Sequence, residues 1–236
     1  MSEKKDNILL FGYGRYGEKI AKYLAGDYSL YIAENDRKRL KKAKTDGYEK
    51  LFFVDIESDE ELVSLLREKN FVKIFCAMDN EEENVYLAIT FKALFVKIET
   101  IAICESKESE RKLKLAGADK IIDTMEASAN KIFHLLEKPA MFEAIEDMLY
   151  MDSDIGFYEI EIRKNSFLDG KYIKQIDLKK SFNLILVGVV DKEMGNKFVF
   201  ITRGINHKLD AGDILVVIGK KNDIEKFKTE LKKSAQ

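Results

Sequence analysis

The sequence predicts an α/β fold, with a doubly wound, Rossmann-like parallel sheet of six strands followed by a helix pair and a small α+β domain. Three observations carry this prediction. Short apolar runs alternate with longer charged runs of helical periodicity from residue 7 to about residue 123. The apolar runs are continuous, as in strands that are buried on both faces. A glycine-rich segment follows the first run and opens a helix.

The first region, residues 1–123, supplies the parallel sheet. The segments between its strands carry apolar residues three or four positions apart, with acids near their starts and Lys or Gly near their ends, as helices prefer. Six strands joined by such helices are typical of a doubly wound sheet. The predicted strands are 7–12, 29–35, 50–55, 73–78, 99–104 and 120–123.

The second region, residues 124–153, interrupts this rhythm with two amphipathic helices. Thr124 is the expected N-cap of the first helix. Pro139, the single proline of the chain, predicts a turn at Lys138–Pro139, because proline is favoured where a helix starts and disfavoured inside one. The exposed side of the pair is rich in Ile, Phe, Leu and Met. It therefore either covers the sheet or meets a second subunit.

The third region, residues 154–236, has the pattern of a small α+β domain. Its first strand alternates apolar and polar residues, which is the mark of a half-exposed strand. Two further strands are expected to pair across the turn at 191–195, and a fourth strand leads into a closing helix. The predicted strands are 157–163, 183–191, 196–204 and 214–220, and the predicted helices are 175–182 and 221–233.

Composition excludes several classes of protein. The net charge of −2 gives no global basic field for nucleic acid. No apolar run approaches the length of about 18 residues that a membrane-spanning helix needs, and the charged N-terminus indicates no signal peptide. Cys76 and Cys104 form no metal or disulfide pattern, so we expect buried thiols. The chain is expected to be soluble and cytoplasmic.

The segment Gly12-Tyr13-Gly14-Arg15-Tyr16-Gly17 has the pattern of a dinucleotide-binding loop. The first glycine permits a tight turn, the second permits close approach of a pyrophosphate, and the third permits helix–strand packing. Glu34 ends the second strand, where a carboxylate accepts both ribose hydroxyls and repels a 2′-phosphate. The pattern favours NAD(H) or an adenine nucleotide over NADP. The alternative is that the glycines serve only a tight turn.

Four charged residues beside this loop have two interpretations each. Arg15 either pairs with phosphate, which we favour, or is solvated. Asp55 reaches the adenine or caps the next helix, with no preference between the two. Asp79 and Glu105 follow strands four and five at the carboxyl edge of the sheet. They can face the ligand crevice, but acids before helices more often act as caps, which is what we expect.

The sequence gives no sign of an enzyme. A hydride-transfer enzyme needs an acid–base group near the nicotinamide, such as a histidine backed by a carboxylate or a tyrosine with Lys four residues later. The two histidines, His134 and His207, fall away from the predicted strand ends, and none of the ten tyrosines has Lys at that spacing. A nucleotide site without such chemistry suggests a sensor.

Four stretches together resemble the RCK (regulator of potassium conductance) family, of the Trk/Ktr type with N-terminal and C-terminal domains. They are the glycine loop with Glu34, the passage LKLAGADKIID at 113–123, the helix pair around Pro139, and LDAGDILVVIG at 209–219. The resemblance covers about residues 6 to 233. It identifies residues 1–123 as the nucleotide-binding domain, 124–153 as crossover and dimerisation helices, and 154–236 as the C-terminal domain.

This resemblance implies a regulatory protein of a membrane pore. RCK proteins form homodimers through their crossover helices, and the dimers stack into a ring, often an octamer of domains, below a potassium channel or transporter. Ligand binding changes the hinge angle within each dimer and so gates the pore. The chain is then held at the inner face of the membrane by a pore that lies on another chain or upstream of Met1.

The resemblance also implies a set of ligand-binding residues for NAD or NADH, with ATP or ADP as the alternative. Gly12, Gly14, Gly17 and Arg15 would hold phosphates, Glu34 the ribose, and Asp55 with Ile56 the adenine. The expected set is completed by Tyr13, Tyr16, Asn35, Ala77 and Met78.

Calcium-gated members of the family place carboxylates at the ends of strands four and five. Ala77 and Ile103 occupy two of those positions here, and Glu105 alone remains acidic. We therefore expect no metal site of that kind. Two other functions stay open: a small NAD-dependent oxidoreductase with residues 156–233 as its substrate domain, and an assembly scaffold with a vacated nucleotide site.

Overall fold

The computed structural model describes residues 5–67, 69–150, 154–195, 197–201 and 206–234, with the side chain of residue 150 left out. The chain divides into two compact units, Met1–Phe133 and His134–Gln236. Each unit has its own sheet and its own buried apolar core.

The sheet of the first unit has six strands in the order β3-β2-β1-β4-β5-β6, and every neighbouring pair is parallel. The order reverses between β1 and β4, which is where a doubly wound sheet opens its ligand crevice. The predicted fold class is therefore confirmed. The strands are β1 (Asn7–Phe11), β2 (Ser29–Glu34), β3 (Leu51–Phe53), β4 (Lys73–Cys76), β5 (Glu99–Cys104) and β6 (Lys120–Asp123).

Five helices connect these strands, and four of them begin at a polar side chain that accepts a backbone N–H. Ser58 precedes the third helix, and its hydroxyl accepts the Glu61 N–H at 3.4 Å. Asp36, Asn80 and Ser106 are the N-caps of the second, fourth and fifth helices. The fifth helix ends at Gly117, whose φ of +84° is in the left-handed region. The helices are α1 (Gly17–Leu24), α2 (Arg37–Thr45), α3 (Asp59–Arg67), α4 (Glu81–Leu94) and α5 (Lys107–Ala116).

Strand β1 lies at the centre of the first unit and is buried on both faces. Leu9 and Phe11 pack into one apolar cluster with α3, α4 and α5, whereas Ile8 and Leu10 pack into a second cluster with α1 and α2. Because successive side chains of a strand point to opposite faces, a strand covered on both sides must be continuously apolar. This explains the unbroken run in the sequence.

The predicted helix pair forms α6 (Thr124–Glu137) and α7 (Pro139–Tyr150). Only Lys138 separates them, and Pro139 is the first residue of α7, as expected. The predicted N-cap of α6 is wrong by one residue, because Asp123 Oδ1 accepts the Glu126 N–H at 2.9 Å. None of the side chains of α6 is buried.

The second unit contains a four-stranded antiparallel sheet in the order β7-β10-β8-β9. The predicted strand 196–204 is found as β9, and its residues 196 and 202–204 lie outside the described part of the chain. A 3₁₀ turn at Ile173–Gln175 precedes the short helix. The elements are β7 (Ile155–Glu161), α8 (Leu178–Phe182), β8 (Ile185–Asp191), β9 (Lys197–Phe200), β10 (Ile214–Lys220) and α9 (Lys221–Ser234).

The core of the second unit is formed where α8 and α9 cover the sheet. Leu215 and Val217 of β10 and Phe227 of α9 are fully buried in it. Within the described ranges, no helix combines the length and the apolar character that crossing a bilayer requires.

Candidate functional site

The glycine-rich loop follows β1 at the point where the strand order reverses. Gly12 has a φ of +95°, and a Cβ there would lie 2.5 Å from the carbonyl oxygen of Ala77. A Cβ on Gly17 would overlap the carbonyl oxygen of Gly12. Gly12 therefore permits the tight turn and Gly17 permits α1 to pack against it, which are the roles that the motif assigns to the first and third glycines.

Gly14 faces a carboxylate. A Cβ on Gly14 would lie 2.5 Å from the carboxyl carbon of Asp79, and the Arg15 N–H donates to Asp79 Oδ1 at 2.9 Å. Backbone N–H groups at the start of a helix are the donors that a phosphate uses. The Asp79 carboxylate thus takes a donor of the loop that a pyrophosphate would otherwise take.

Two arginines neutralise the acids around the loop. Arg39 Nη2 of α2 pairs with Asp79 Oδ2 at 2.8 Å, and Arg15 Nη2 pairs with Glu105 Oε1 at 2.8 Å. Asp79 and Glu105 were expected as helix caps, and this expectation is wrong because Asn80 and Ser106 hold those positions. Each helix begins two residues after the acid, with the N-cap between them, which frees the acid to face the loop.

Glu34 lies at the carboxyl end of β2 and is only 1% exposed. Its carboxylate accepts the N–H groups of Tyr13 at 2.7 Å, Asn35 at 2.9 Å and Asp36 at 3.1 Å. Such bonds fix the glycine loop to the end of the second strand. Glu34 therefore organises the loop in addition to standing where a ribose is expected.

The two tyrosines of the loop point in different directions. Tyr13 is buried, and its hydroxyl donates to Asp46 Oδ2 at 2.8 Å. Burial and this hydrogen bond raise the pKa of Tyr13 well above its usual range. The Tyr16 hydroxyl lies 3.0 Å from Glu105 Oε1 and 3.0 Å from Thr124 Oγ1. Tyr16 thereby connects the loop to the first residue of α6.

Asp55 and Ile56 follow β3. Asp55 Oδ1 accepts the Glu57 N–H at 3.0 Å in a local turn, and α3 begins only at Asp59. Asp55 is therefore not the N-cap of that helix, and its side chain remains exposed. Ile56 is buried in the apolar cluster that includes Leu62 of α3.

The remaining residues of the expected set lie at the ends of β2 and β4. Asn35 Nδ2 donates to Glu83 Oε1 at 3.3 Å. Ala77 and Met78 are buried, and the Met78 N–H donates to Asn84 Oδ1 at 2.8 Å. The structure therefore brings Gly12, Gly14, Ala77 and Met78 together at the crevice.

Sequence reasoning missed Arg39 and Asn84. Arg39 lies in the lysine-rich helix α2, where nothing in the sequence distinguishes it from its neighbours. Asn84 is 1% exposed, and its amide donates to the carbonyl oxygens of Met78 at 3.0 Å and Ile103 at 3.2 Å. An asparagine on the apolar face of α4 was the available signal, because a buried amide requires partners.

Glu81 adds a third acid to this edge of the sheet. Its carboxylate accepts the N–H of Ser106 at 2.8 Å and the hydroxyls of Ser106 and Ser109. Burial favours a higher pKa for Glu81, but the hydrogen bonds outweigh burial and hold the pKa below its usual value. Glu81 remains ionised and fixes the turn that carries Glu105.

The two thiols are free and buried, as predicted from the sequence. Burial raises the pKa of Cys104 to about 11 and moves the pKa of Cys76 further still. Both side chains therefore stay protonated at neutral pH, and neither has the character of a reactive thiolate.

The first unit has a parallel sheet with a glycine-rich loop, and the second has a small antiparallel sheet. This pair of domains defines a class of two-domain proteins. The TrkA-N domain model matches residues 8–124 and the TrkA-C domain model matches residues 157–232. The chain belongs to the RCK family, and it is related to regulatory domains of potassium channels.

Two curated relatives come from Methanocaldococcus jannaschii. The probable potassium channel protein 2 is 21% identical over 236 residues, which are 97% of this chain and 68% of the relative. Potassium channel protein 1 is 22% identical over 224 residues, which are 94% of this chain and 66% of the relative. The chain thus spans about two thirds of the length of these channel proteins.

Solved structures show the same fold. The GsuK channel aligns with a TM-score of 0.51 at 17% identity, covering 98% of this chain and 39% of that chain. The TrkA-N domain of the inner membrane protein ybaL from Escherichia coli aligns with a TM-score of 0.51 at 22% identity, covering 56% of this chain and 98% of that domain.

Proposed function

We propose that this chain is a ligand-sensing regulatory part of a potassium channel or potassium uptake system, and that its first unit binds an adenine nucleotide. The observation that carries the proposal is the loop itself. The loop before α1 presents a backbone N–H and the side chain of Arg15, and Arg39 of α2 pairs with the same Asp79 carboxylate. The missing Cβ of Gly14 leaves room there for an anionic group. The Asp79 carboxylate fills part of this space, which supports the view that the space accommodates an anionic group.

The nucleotide is proposed to lie across the carboxyl ends of β1, β2 and β4. Its phosphates would contact the loop at Gly12–Gly17, including Arg15. Its ribose would meet Glu34, and its adenine would lie near Asp55 and Ile56. A carboxylate at the ribose favours NAD or NADH, or alternatively ATP or ADP, over a nucleotide with a 2′-phosphate.

Phosphate binding would compete with Asp79. When a phosphate takes the Arg15 N–H, the Asp79 carboxylate must leave it, and like charge favours that movement. Arg15 and Arg39 then gain a new anionic partner. The contacts of the loop therefore differ between the free and the bound state. A ligand shifts a conformational equilibrium only if it interacts differently with the two states.

The contacts of Tyr16 supply a route from the loop to α6. Its hydroxyl meets Glu105 and Thr124, so a displacement of Arg15 from Glu105 changes the surroundings of the first residue of α6. We propose that two copies of the chain pair through α6 and α7 to form a homodimer. The dimers assemble into an octameric ring of domains, and this ring acts on a pore at the inner face of the membrane. The role is regulatory rather than catalytic.

The test begins with the purified 236-residue chain. Denaturation of the purified protein should release an adenine nucleotide that mass spectrometry detects. Calorimetric titration should show saturable binding of NAD, NADH, ATP or ADP. Arg15→Ala should weaken binding, whereas the matched control Lys19→Ala, an exposed cation on the next turn, should not. A folded chain that binds none of the four nucleotides would overturn the proposal. Substrate-dependent oxidation of NADH would instead support the oxidoreductase alternative.

A further inference from the structure

A second group of polar residues lies in the other unit, where β8 ends and β10 begins. These strands are antiparallel neighbours, and Val190 pairs with Ile214. Asp191 and Asp213 therefore lie next to each other at the same edge of the sheet. His207, from the turn before β10, lies between them. The two aspartates are almost fully buried, with 4% and 2% exposure.

The three side chains converge. His207 Nε2 lies 3.1 Å from Asp213 Oδ2, and His207 Nδ1 lies 3.6 Å from Asp191 Oδ2. One ligand atom from each residue can be chosen so that all three lie within 4.8 Å of one another. Nitrogen and oxygen ligands of one cation are separated by about 3–3.5 Å, given metal–ligand distances of about 2.0–2.2 Å. Because a different ring nitrogen faces each aspartate, binding of a single ion requires the imidazole and the carboxylates to reorient until one ring nitrogen and both aspartates meet it.

Among the described residues, the cluster has more acidic than basic side chains. Lys192 pairs with Glu161 at 3.1 Å and Lys208 pairs with Asp210 at 3.0 Å, so neither neighbouring lysine serves the buried aspartates. Over the ranges that the structure covers, His207 is the only side chain in an ion pair with Asp191 or Asp213. A single imidazole ring thus serves two buried carboxyl groups. An uncompensated buried carboxylate is unfavourable, and a divalent cation would compensate it.

Backbone groups hold the carboxylates in place. The Met194 N–H donates to Asp191 Oδ1 at 3.0 Å, and the Lys192 N–H donates to Asp213 Oδ1 at 3.2 Å. The Asp210 N–H donates to Asp213 Oδ2 at 3.0 Å. Asp191 Oδ2 and one side of Asp213 Oδ2 are left facing the imidazole. Outer hydrogen bonds that orient carboxylate ligands in this way are a regular feature of metal sites.

We propose that Asp191, His207 and Asp213 bind a divalent transition-metal cation, with Zn²⁺ as the representative ion. An imidazole nitrogen suits Zn²⁺ and its neighbours in the first transition row, whereas Ca²⁺ and Mg²⁺ prefer oxygen ligands alone. One ring nitrogen coordinates the ion, and water completes the coordination. This site is independent of the nucleotide loop. It differs in residues and ligand type from the carboxylate positions at Ala77, Ile103 and Glu105.

The competing explanation is that His207 bridges the two carboxyl groups by hydrogen bonds without a metal. The test uses the full chain, freed of metal with a chelator, and titrates it with ZnCl₂ by calorimetry. We expect one Zn²⁺ per chain. His207→Ala should weaken binding by about 100-fold or more, as the loss of a ligand should exceed the effect of losing an outer-shell partner. His134→Ala, which removes the only other histidine, should leave the affinity unchanged.

The wild-type chain supplies a test that does not depend on variants folding. In NMR spectra, Zn²⁺ should shift the ring resonances of His207 and leave those of the exposed His134 in place. The isosteric variants Asp191→Asn and Asp213→Asn, checked for folding by circular dichroism, should each weaken binding. Absence of Zn²⁺ binding, equal affinity of His207→Ala, or equally tight binding of Ca²⁺ would overturn the proposal.

Discussion

Asp79 is the residue whose position most affects binding of the proposed nucleotide. It accepts the Arg15 N–H and pairs with Arg39, so it competes with a phosphate for both groups. We predict that Asp79→Asn tightens binding of ADP and NADH by about tenfold, since a hydrogen bond to a charged group is worth about 1.5–3 kcal/mol. Calorimetric titration measures the change.

The control for this prediction is Glu82→Gln, which removes an exposed acid from the first turn of α4. It should leave the affinity unchanged. Weaker binding by Asp79→Asn would show that Asp79 holds the ligand, directly or through a cation, instead of competing with it.

Glu34 is expected to matter for stability as well as for binding. Glu34→Ala removes the acceptor of three backbone N–H groups in a site that is 1% exposed. Unpaired buried donors cost about 1–3 kcal/mol each, so we predict a loss of about 3 kcal/mol or more in the free energy of unfolding. Urea denaturation measures it.

Asp36→Ala provides the comparison for Glu34, because Asp36 caps α2 from an exposed position and accepts a single N–H. Its loss should cost about 1 kcal/mol. If Glu34→Ala is no more destabilising than Asp36→Ala, then Glu34 does not organise the glycine loop.

At the scale of elements, Glu99 joins three strands of the first sheet. It lies on β5 and pairs with Lys73 of β4 at 2.7 Å and with Lys120 of β6 at 2.9 Å. The hydrogen bond from Lys73 and then that from Lys120 hold the pKa of Glu99 below its usual value. A carboxyl whose pKa is lower in the folded state stabilises the fold above its unfolded pKa of about 4.3. That contribution is lost as the pH falls through the lower folded pKa.

We therefore predict that Glu99→Gln destabilises the chain at pH 7 and that the difference from wild type shrinks below about pH 4. Urea midpoints measured at both pH values test this. The matched control is Glu108→Gln, which removes an exposed acid paired with Lys112 within α5, and it should change the midpoint little at pH 7. A Glu99→Gln difference that grows on acidification would contradict the assignment.

The elements themselves could be predicted from the sequence because their causes are local. Continuous apolar runs gave the six parallel strands, and Pro139 gave the break between α6 and α7. The errors concern side chains whose partners come from elsewhere. Asp79 and Glu105 resemble helix caps in sequence, yet each helix starts two residues after the acid. The acids meet arginines that are distant in the chain. No local pattern specifies which cation a loop acid will meet.

At the scale of the whole molecule, the exposed apolar side chains of α6 require an explanation. Met125, Ile132 and Leu136 are 61%, 59% and 77% exposed, and their spacing places them on one face of the helix. Apolar residues grouped on one face indicate an interface, which supports the proposed homodimer. Exposure of three such side chains to water is unfavourable by about 1.5–3 kcal/mol each relative to full burial.

We predict that the wild-type chain forms the proposed homodimer and that the double variant Ile132→Glu, Leu136→Glu is a monomer, because charges in the centre of an apolar interface must be desolvated without a partner. Sedimentation equilibrium of wild type and variant measures the mass directly. Leu115→Glu is the control, since Leu115 lies on α5 and is 83% exposed; it should leave the dimer intact. A wild-type chain that is monomeric at high concentration, or a double variant that remains dimeric, would show that the apolar face of α6 does not join two copies. Retained nucleotide binding by the monomeric variant would then separate the sensing role of the first unit from its assembly.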